Sequence, residues 1–84
     1  MPTFIKDLKA LKSTLVYDSV KSLVFDEIPS HSSLDEIRNL KKLKDANNAY
    51  RIRVGDYRIG FLFEGETITF IRVLHRKDIY RYFP

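Results

Sequence analysis

The chain has 84 residues, with 15 Lys and Arg against 11 Asp and Glu and a formal net charge of +4. This length predicts one small domain, residues 1–84, because two hydrophobic cores would not fit. The absence of cysteine excludes a disulfide scaffold, a thiolate zinc site and a cysteine nucleophile.

The N-terminal segment does not have the pattern of a targeting sequence. Lys6, Asp7 and Lys9 interrupt its apolar residues, unlike the continuous apolar stretch of a signal peptide. No apolar run in the chain approaches the roughly 20 residues of a membrane-spanning helix. We therefore expect a cytoplasmic protein without a membrane partner.

The first half of the chain has helical periodicity. Apolar residues recur at spacings of three and four, as in Phe4, Leu8, Leu11 and Leu15. We expect Ser13-Thr14 to divide this pattern into two helices and Pro29 to end it, because a proline disfavours helix in the residue before it. Ser33 and Glu36 have capping-box spacing, which predicts a short third helix near Leu34. Its buried side would consist of Ile37, Leu40 and Leu43.

From Ala49 the apolar period changes to two, which is typical of β-strands. Three strands are predicted, over residues 49–54, 57–63 and 67–73, with turns at Gly55-Asp56 and at Gly65. The chain thus has the pattern of an α+β fold, in which two or three N-terminal helices pack on one face of a three-stranded antiparallel meander.

A two-residue turn at Gly55-Asp56 fixes the register of the first hairpin. The expected pairs are Val54 with Tyr57, Arg53 with Arg58, Ile52 with Ile59, Arg51 with Gly60, and Tyr50 with Phe61. These pairs divide between two faces. The helix face consists of Tyr50, Ile52, Val54, Tyr57, Ile59 and Phe61, and the arginine face consists of Arg51, Arg53, Arg58 and Gly60.

The arginine face has an unfavourable arrangement of like charges. Directly opposed like charges on a sheet cost up to about 1 kcal/mol, and Gly60 would leave open space opposite Arg51. Guanidinium groups bind phosphate through a planar fork of donors, so this face is a candidate polyanion site. The alternative is a solvated basic face whose arginines pair with Asp78 or Glu66.

The C-terminal segment adds further candidates. His75 is the usual acid or base at neutral pH, Arg76 is a further cation, and Tyr80 could donate a proton or stack on a base. The alternatives are a structural role for His75 and a covering of the sheet edge by Tyr80 and Tyr82. The sequence has no glycine-rich phosphate loop and no metal-spaced histidine cluster, so we expect no cofactor and no metal.

Two segments carry a resemblance to a known family: Tyr50-Arg-Ile-Arg-Val-Gly-Asp-Tyr-Arg-Ile-Gly-Phe61 and Val73-Leu-His-Arg-Lys-Asp-Ile-Tyr80-Arg. Over residues 4–83 the chain resembles the RelE/ParE superfamily of toxin–antitoxin toxins, and its RelE-like branch most. The resemblance implies helices packed on an antiparallel sheet, cleavage of mRNA on the ribosome, and neutralisation by an antitoxin protein.

The same resemblance implies roles for individual residues. Arg51, Arg53 and Arg58 match the cations on the family's sheet, Arg76 matches a C-terminal cation and Tyr80 matches a tyrosine. His75 occurs at its position in some branches. The usual first strand has no counterpart here, because the helical pattern starts at Phe4. We therefore expect an uncovered sheet edge that could take a partner strand or a second copy of the chain in a homodimer.

The leading hypothesis is a ribosome-dependent mRNA endoribonuclease, in which a 2′-hydroxyl attacks the adjacent phosphate. The catalytic candidates are Arg51, Arg53, Arg58, His75, Arg76 and Tyr80. One alternative is a ParE-like inhibitor of DNA gyrase without nuclease activity, since the fold alone does not determine the function. Another is an inactive RelE-like protein that only binds its antitoxin.

Overall fold

The structure is a computed structural model that describes residues 2–30, 34–43 and 48–83, and a four-stranded antiparallel sheet is its centre. The strands are β1 (Leu40–Lys42), β2 (Ala49–Val54), β3 (Tyr57–Glu64) and β4 (Thr67–His75), and they neighbour one another in chain order. The α+β class and the meander of β2, β3 and β4 are confirmed. The predicted number of strands is wrong, because β1 precedes them.

β1 replaces most of the predicted short helix. Within residues 34–43, a 3₁₀ turn forms at Leu34–Glu36, and the following strand pairs with β2 so that Leu40 lies opposite Ile52. Three residues are too few for periodicity to distinguish helix from strand, and the unpaired backbone groups of β2 decide in favour of a strand. Ile37 is buried as expected. Ser33, the predicted cap, lies outside the described residues.

The N-terminal half is helical in several pieces. The helices are α1 (Pro2–Ala10), α2 (Tyr17–Ser22), a π-helical turn (Leu23–Glu27) and α3 (Ile28–Ser30). The break at Ser13-Thr14 is confirmed, and the Thr14 hydroxyl donates a hydrogen bond of 2.7 Å to the Leu11 carbonyl there. The helical conformation continues through Pro29 to Ser30, so it ends slightly later than predicted.

The larger core lies between these helices and the helix face of the sheet. Its buried residues are Phe4, Leu8, Leu11, Val20, Val24, Ile28, Ile37, Ile52, Ile59, Phe61, Phe70 and Val73. Phe70 connects the two layers, because its ring centroid lies 5.3 Å from that of Phe4 and 5.9 Å from that of Phe61. The predicted apolar side of the β2–β3 hairpin is therefore the side that the helices cover.

A smaller core lies on the opposite side of the sheet. The short helix α4 (Ile79–Tyr82) and the residue that follows it contribute Ile79 and Phe83, which are buried with Ala49. Leu43, Leu62, Ile71 and Leu74 pack around them. Helices are thus present on both faces, contrary to the expectation that one face would carry them all.

The register of the β2–β3 hairpin agrees with the prediction in every pair, from Val54 opposite Tyr57 to Tyr50 opposite Phe61. Gly55 has a φ of +59°, and Asp56 has no positive φ. This combination matches a type II′ turn, which requires positive φ at its first central residue only and favours glycine there. Local turn chemistry therefore fixes which side chains share a face.

β4 is an edge strand, and a side chain of α1 bonds to part of its free edge. The Asp7 carboxylate accepts a hydrogen bond of 3.1 Å from the Val73 backbone N–H, and it also accepts two from Arg72, at 2.7 Å from Nε and 3.1 Å from Nη2. An edge N–H that is bonded in this way is not free to pair with another strand. A homodimer through this edge stays a prediction. Among the described helices, none is long and apolar enough to cross a membrane.

Candidate active site on the arginine face

The arginine face brings together cations from three parts of the chain. Arg51 and Arg53 lie on β2, and Arg58 lies opposite Arg53 on β3. The Arg76 backbone N–H donates 2.7 Å to the Asp56 carbonyl, which holds the end of β4 against the β2–β3 turn, close to Arg58. Tyr80, on α4, is 57% exposed. Two strands, a strand end and a helix thus converge on one surface.

The pKa of Arg58 is affected by the charges of several of these residues. Burial lowers the pKa of Arg58 below its usual value, and the neighbouring charge of Arg51 lowers it further. The Tyr80 hydroxyl raises the pKa of Arg58, whereas the charges of Arg53 and Arg76 lower it. Arginine nevertheless stays protonated in proteins, so Arg58 is a cation beside three other cations.

The guanidinium groups of the arginine face donate to neutral oxygens. Arg58 Nη1 donates to the Gly55 and Tyr57 carbonyls at 2.8 and 2.9 Å. Arg51 Nη1 donates to the Asn39 carbonyl at 3.1 Å, and Arg53 Nη2 to the Asn39 side-chain oxygen at 3.4 Å. These bonds orient the guanidinium groups without neutralising their charge.

The carboxylates proposed as alternative partners have other surroundings. Glu66 lines a groove of about 310 Å³ on the helix side of the sheet, together with Val24, Ile28 and Phe70. Asp78 precedes α4, where its backbone N–H donates to the His75 carbonyl and its own carbonyl accepts from Arg81. Among the described residues, neither carboxylate forms an ion pair or a hydrogen bond with the arginine face, so the alternative hypothesis has no support.

The structure does not bring His75 to the arginine face. His75 lies opposite Tyr57, and the two rings meet edge to face at a centroid distance of 5.4 Å. Tyr57 packs against the larger core, on the helix side. His75 Nδ1 accepts a hydrogen bond of 3.2 Å from the Lys77 backbone N–H. This position gives no geometric support to the predicted catalytic role of His75.

A β-bulge explains the position of His75. The pairing of β3 with β4 shifts between Gly60 and Phe61, because Phe61 lies opposite Phe70 while Gly60 lies opposite Arg72. Ile71 is the extra residue, so every side chain after it changes face relative to an unbroken strand. The shift brings Val73 into the larger core and turns His75 away from the arginines.

The ring of Phe83 fills the space above Gly60, where the sequence predicts open space. A Cβ atom added at Gly60 would lie 2.5 Å from Phe83 Cδ2, closer than side-chain carbon atoms can approach. The prediction of open space for a ligand is therefore wrong. Gly60 instead lets Phe83 anchor α4 on the sheet, and α4 carries Tyr80 next to Arg58.

Sequence reasoning missed two residues that arrange this site. Phe83 follows Ile79 at a spacing of four, which is a helical signal in the C-terminal segment that could have been used. Asn39, which contacts both Arg51 and Arg53, has no comparable signal, because only the pairing of β1 with β2 brings it there. Among the described residues, no three His, Asp or Glu side chains gather as a metal site would require.

Comparison with known proteins shows which family of proteins the chain is similar to. Residues 1–80 match the family model described as the ParE toxin of the type II toxin–antitoxin system parDE. The chain is 48% identical over 83 residues to "Toxin RelE3" of Methanocaldococcus jannaschii, covering 98% of this chain and 92% of that protein.

A solved structure gives a similar result. The crystal structure of a RelB-RelE antitoxin-toxin complex from Methanococcus jannaschii contains a chain that matches with a TM-score of 0.78 and 46% identity. The match covers 96% of this chain and 93% of that chain. Both sequence and fold are therefore similar to those of toxins over nearly the full length.

Proposed function

We propose, from the premise that this chain belongs to the ParE toxin family of type II toxin–antitoxin systems, that it is a RelE-like endoribonuclease acting on mRNA at the ribosome. The observation that carries the proposal is that strand pairing and the Arg76–Asp56 backbone bond gather Arg51, Arg53, Arg58 and Arg76 on one surface, where Tyr80 also affects the pKa of Arg58. Such a concentration of guanidinium groups, hydrogen-bonded to neutral oxygens, favours a phosphate-rich ligand.

The proposed reaction is an attack by a ribose 2′-hydroxyl on its own 3′-phosphate. The 2′-oxygen–phosphorus bond forms and the bond from phosphorus to the 5′-oxygen of the next nucleotide breaks, which leaves a cyclic phosphate and a 5′-hydroxyl. One proton leaves the 2′-hydroxyl and one reaches the 5′-oxygen. Negative charge builds up on the phosphate oxygens in the transition state, where fixed cations stabilise it most.

The residues divide between charge stabilisation and proton transfer. Arginine stays protonated in proteins and cannot act as a base, so Arg51, Arg53, Arg58 and Arg76 would hold the phosphate and stabilise its charge. Tyr80 is the predicted proton-transfer residue that lies with them, and it would exchange a proton with a reacting oxygen. The ribosome would supply the alignment of the mRNA for in-line attack.

A protein antitoxin is the proposed inhibitor. The similar solved chain is part of a RelB-RelE antitoxin-toxin complex, and this chain would likewise bind an antitoxin. An acidic or amphipathic segment laid over the arginine face would offset its charge repulsion and exclude RNA.

A gyrase inhibitor is the second candidate, because the matching family model is described as a ParE toxin. The two functions differ in their products. Induced expression in a bacterial host, followed by mapping of RNA 5′ ends and of DNA breaks, would separate them. New RNA ends at ribosome-bound positions that disappear in an Arg58→Ala variant support the nuclease. DNA breaks without RNA ends support the gyrase inhibitor, and neither product from a stably folded protein would indicate an inactive binder of antitoxin.

A further inference from the structure

Asn39 makes contacts with both arginines of β2. Its backbone carbonyl accepts hydrogen bonds from the Arg53 backbone N–H at 3.2 Å and from Arg51 Nη1 at 3.1 Å. Its side-chain oxygen accepts from Arg53 Nη2 at 3.4 Å. One residue outside the predicted site thus orients two of the side chains in it.

The backbone of Asn39 has an unusual conformation that makes these contacts available. With a φ of +61°, Asn39 is the one non-glycine residue with positive φ within the described parts of the chain. Asparagine enters this left-handed region more readily than other side chains, and β-branched residues are strongly disfavoured there. The conformation occurs directly before β1, and the Asn39 carbonyl meets β2 where the β1–β2 pairing ends.

Arg51 depends on Asn39 for its orientation. Its Nε atom is buried and has no hydrogen-bond acceptor. Its guanidinium group is instead held by the hydrogen bond from Nη1 to the Asn39 carbonyl. A guanidinium group held at one nitrogen keeps its other terminal donors available for a phosphate. Without the Asn39 carbonyl, Arg51 would lose the bond that orients it.

We propose that Asn39 is a positioning residue that orients Arg51 and Arg53 for the phosphate, an inference that rests on the proposed nuclease function. A neutral amide oxygen suits this role better than a carboxylate. A carboxylate would bind Arg53 more strongly, but its negative charge would also weaken the attraction between this arginine and the RNA phosphates.

Three variants separate the parts of this role. Asn39→Gly keeps the positive φ and the carbonyl but removes the side-chain acceptor. Asn39→Val disfavours the backbone conformation and so removes the contact with Arg51 as well. Asn39→Asp keeps the shape of the side chain and adds one negative charge beside Arg53. Lys9→Ala, on the exposed side of α1, is the matched control, because it changes the net charge of the protein by the same amount.

The experiment measures Tm, binding to a short RNA oligonucleotide at several salt concentrations, and cleavage of mRNA on programmed ribosomes. We expect Asn39→Asp to weaken RNA binding about tenfold and to reduce the slope of log affinity against log salt by about one, with Tm maintained. Asn39→Val should slow cleavage about tenfold, and Asn39→Gly should slow it less, because glycine keeps the carbonyl that binds Arg51 and loses only the side-chain contact with Arg53.

The outcomes distinguish failure of this inference from failure of the proposed function. If Asn39→Asp and Lys9→Ala have the same RNA affinity and salt slope, Asn39 does not act through the arginines. Equal rates for the parent protein and a folded Asn39→Val variant would also overturn the role. A parent protein that binds RNA but does not cleave mRNA on ribosomes overturns the nuclease proposal instead, and one that does not bind RNA overturns both.

Discussion

The two faces of the β2–β3 hairpin differ in chemistry: one is apolar and buried, and the other carries arginines. On the helix face, Ile52 and Ile59 lie opposite each other and are almost completely buried in the larger core. On the arginine face, the next pair along the strands is Arg53 with Arg58, whose charges repel. Adjacent residues in the chain thus stabilise the fold or concentrate positive charge, according to which side they face.

The comparison teaches that the charged face depends on the apolar one. Burial of the large side chains on the helix face stabilises the hairpin, which can then accept like charges opposite each other at a cost of about 1 kcal/mol. Substitutions on the helix face should therefore change the stability of the protein, whereas substitutions of the arginines on the other face should mainly change its activity.

The largest effect on stability is expected from Ile59→Ala. This residue is fully buried in the larger core, and removal of its side chain leaves a cavity. We expect the free energy of unfolding to fall by about 2–5 kcal/mol, measured by urea denaturation followed by circular dichroism. The milder Ile59→Val should cost about 0.5–1.5 kcal/mol and keeps the test usable if the alanine variant does not fold. Equal stability of all three proteins would contradict the assignment of Ile59 to the core.

Arg58→Ala should have the largest effect on activity. It removes the guanidinium group around which the other cations gather, so we expect mRNA cleavage to fall about 10²–10³-fold. The Tm should stay near that of the parent protein, because removal of one of several mutually repelling charges does not weaken the larger core. Lys9→Ala is the control for a loss of one positive charge and should cleave normally. A folded and fully active Arg58→Ala protein would refute the proposed site.

Gly60→Ala tests the connection between the smaller core and the site. The added methyl group would collide with Phe83 and displace α4 from the sheet, at a cost of about 1–3 kcal/mol in stability. Because α4 carries Tyr80, cleavage should fall further than the loss of folded protein explains. Phe83→Ala in the same protein should relieve the collision. If Gly60→Ala is as stable and active as the parent, the ring of Phe83 does not fix α4.

The smallest effect is expected from His75→Ala, in comparison with Tyr80→Phe. His75 contacts Tyr57 on the helix side, so its removal should change the cleavage rate less than about threefold. Tyr80→Phe removes a hydroxyl next to Arg58 and should slow cleavage about 10²-fold. Single-turnover rates across a range of pH would measure both. The reverse order of effects would show that His75, and not Tyr80, transfers the proton.

Much of the site could be predicted because it depends on local pairing. The alternation of residues 50–54 and 57–61 and the glycine at the turn together determine that Arg51, Arg53 and Arg58 share a face. The position of His75 could not be obtained in the same way. An unbroken β4 would place it on the arginine face, and the bulge at Ile71 reverses its direction.

The sequence by itself determined the α+β class, the helix break near Ser13-Thr14 and the register of the central hairpin, since each follows from interactions between residues close in the chain. Only the tertiary structure decided that residues 40–42 form a strand, that Phe83 packs on Gly60, and that Asn39 contacts Arg51 and Arg53. These features depend on groups that are distant in sequence and become neighbours only when unpaired strand edges and exposed apolar surfaces find partners.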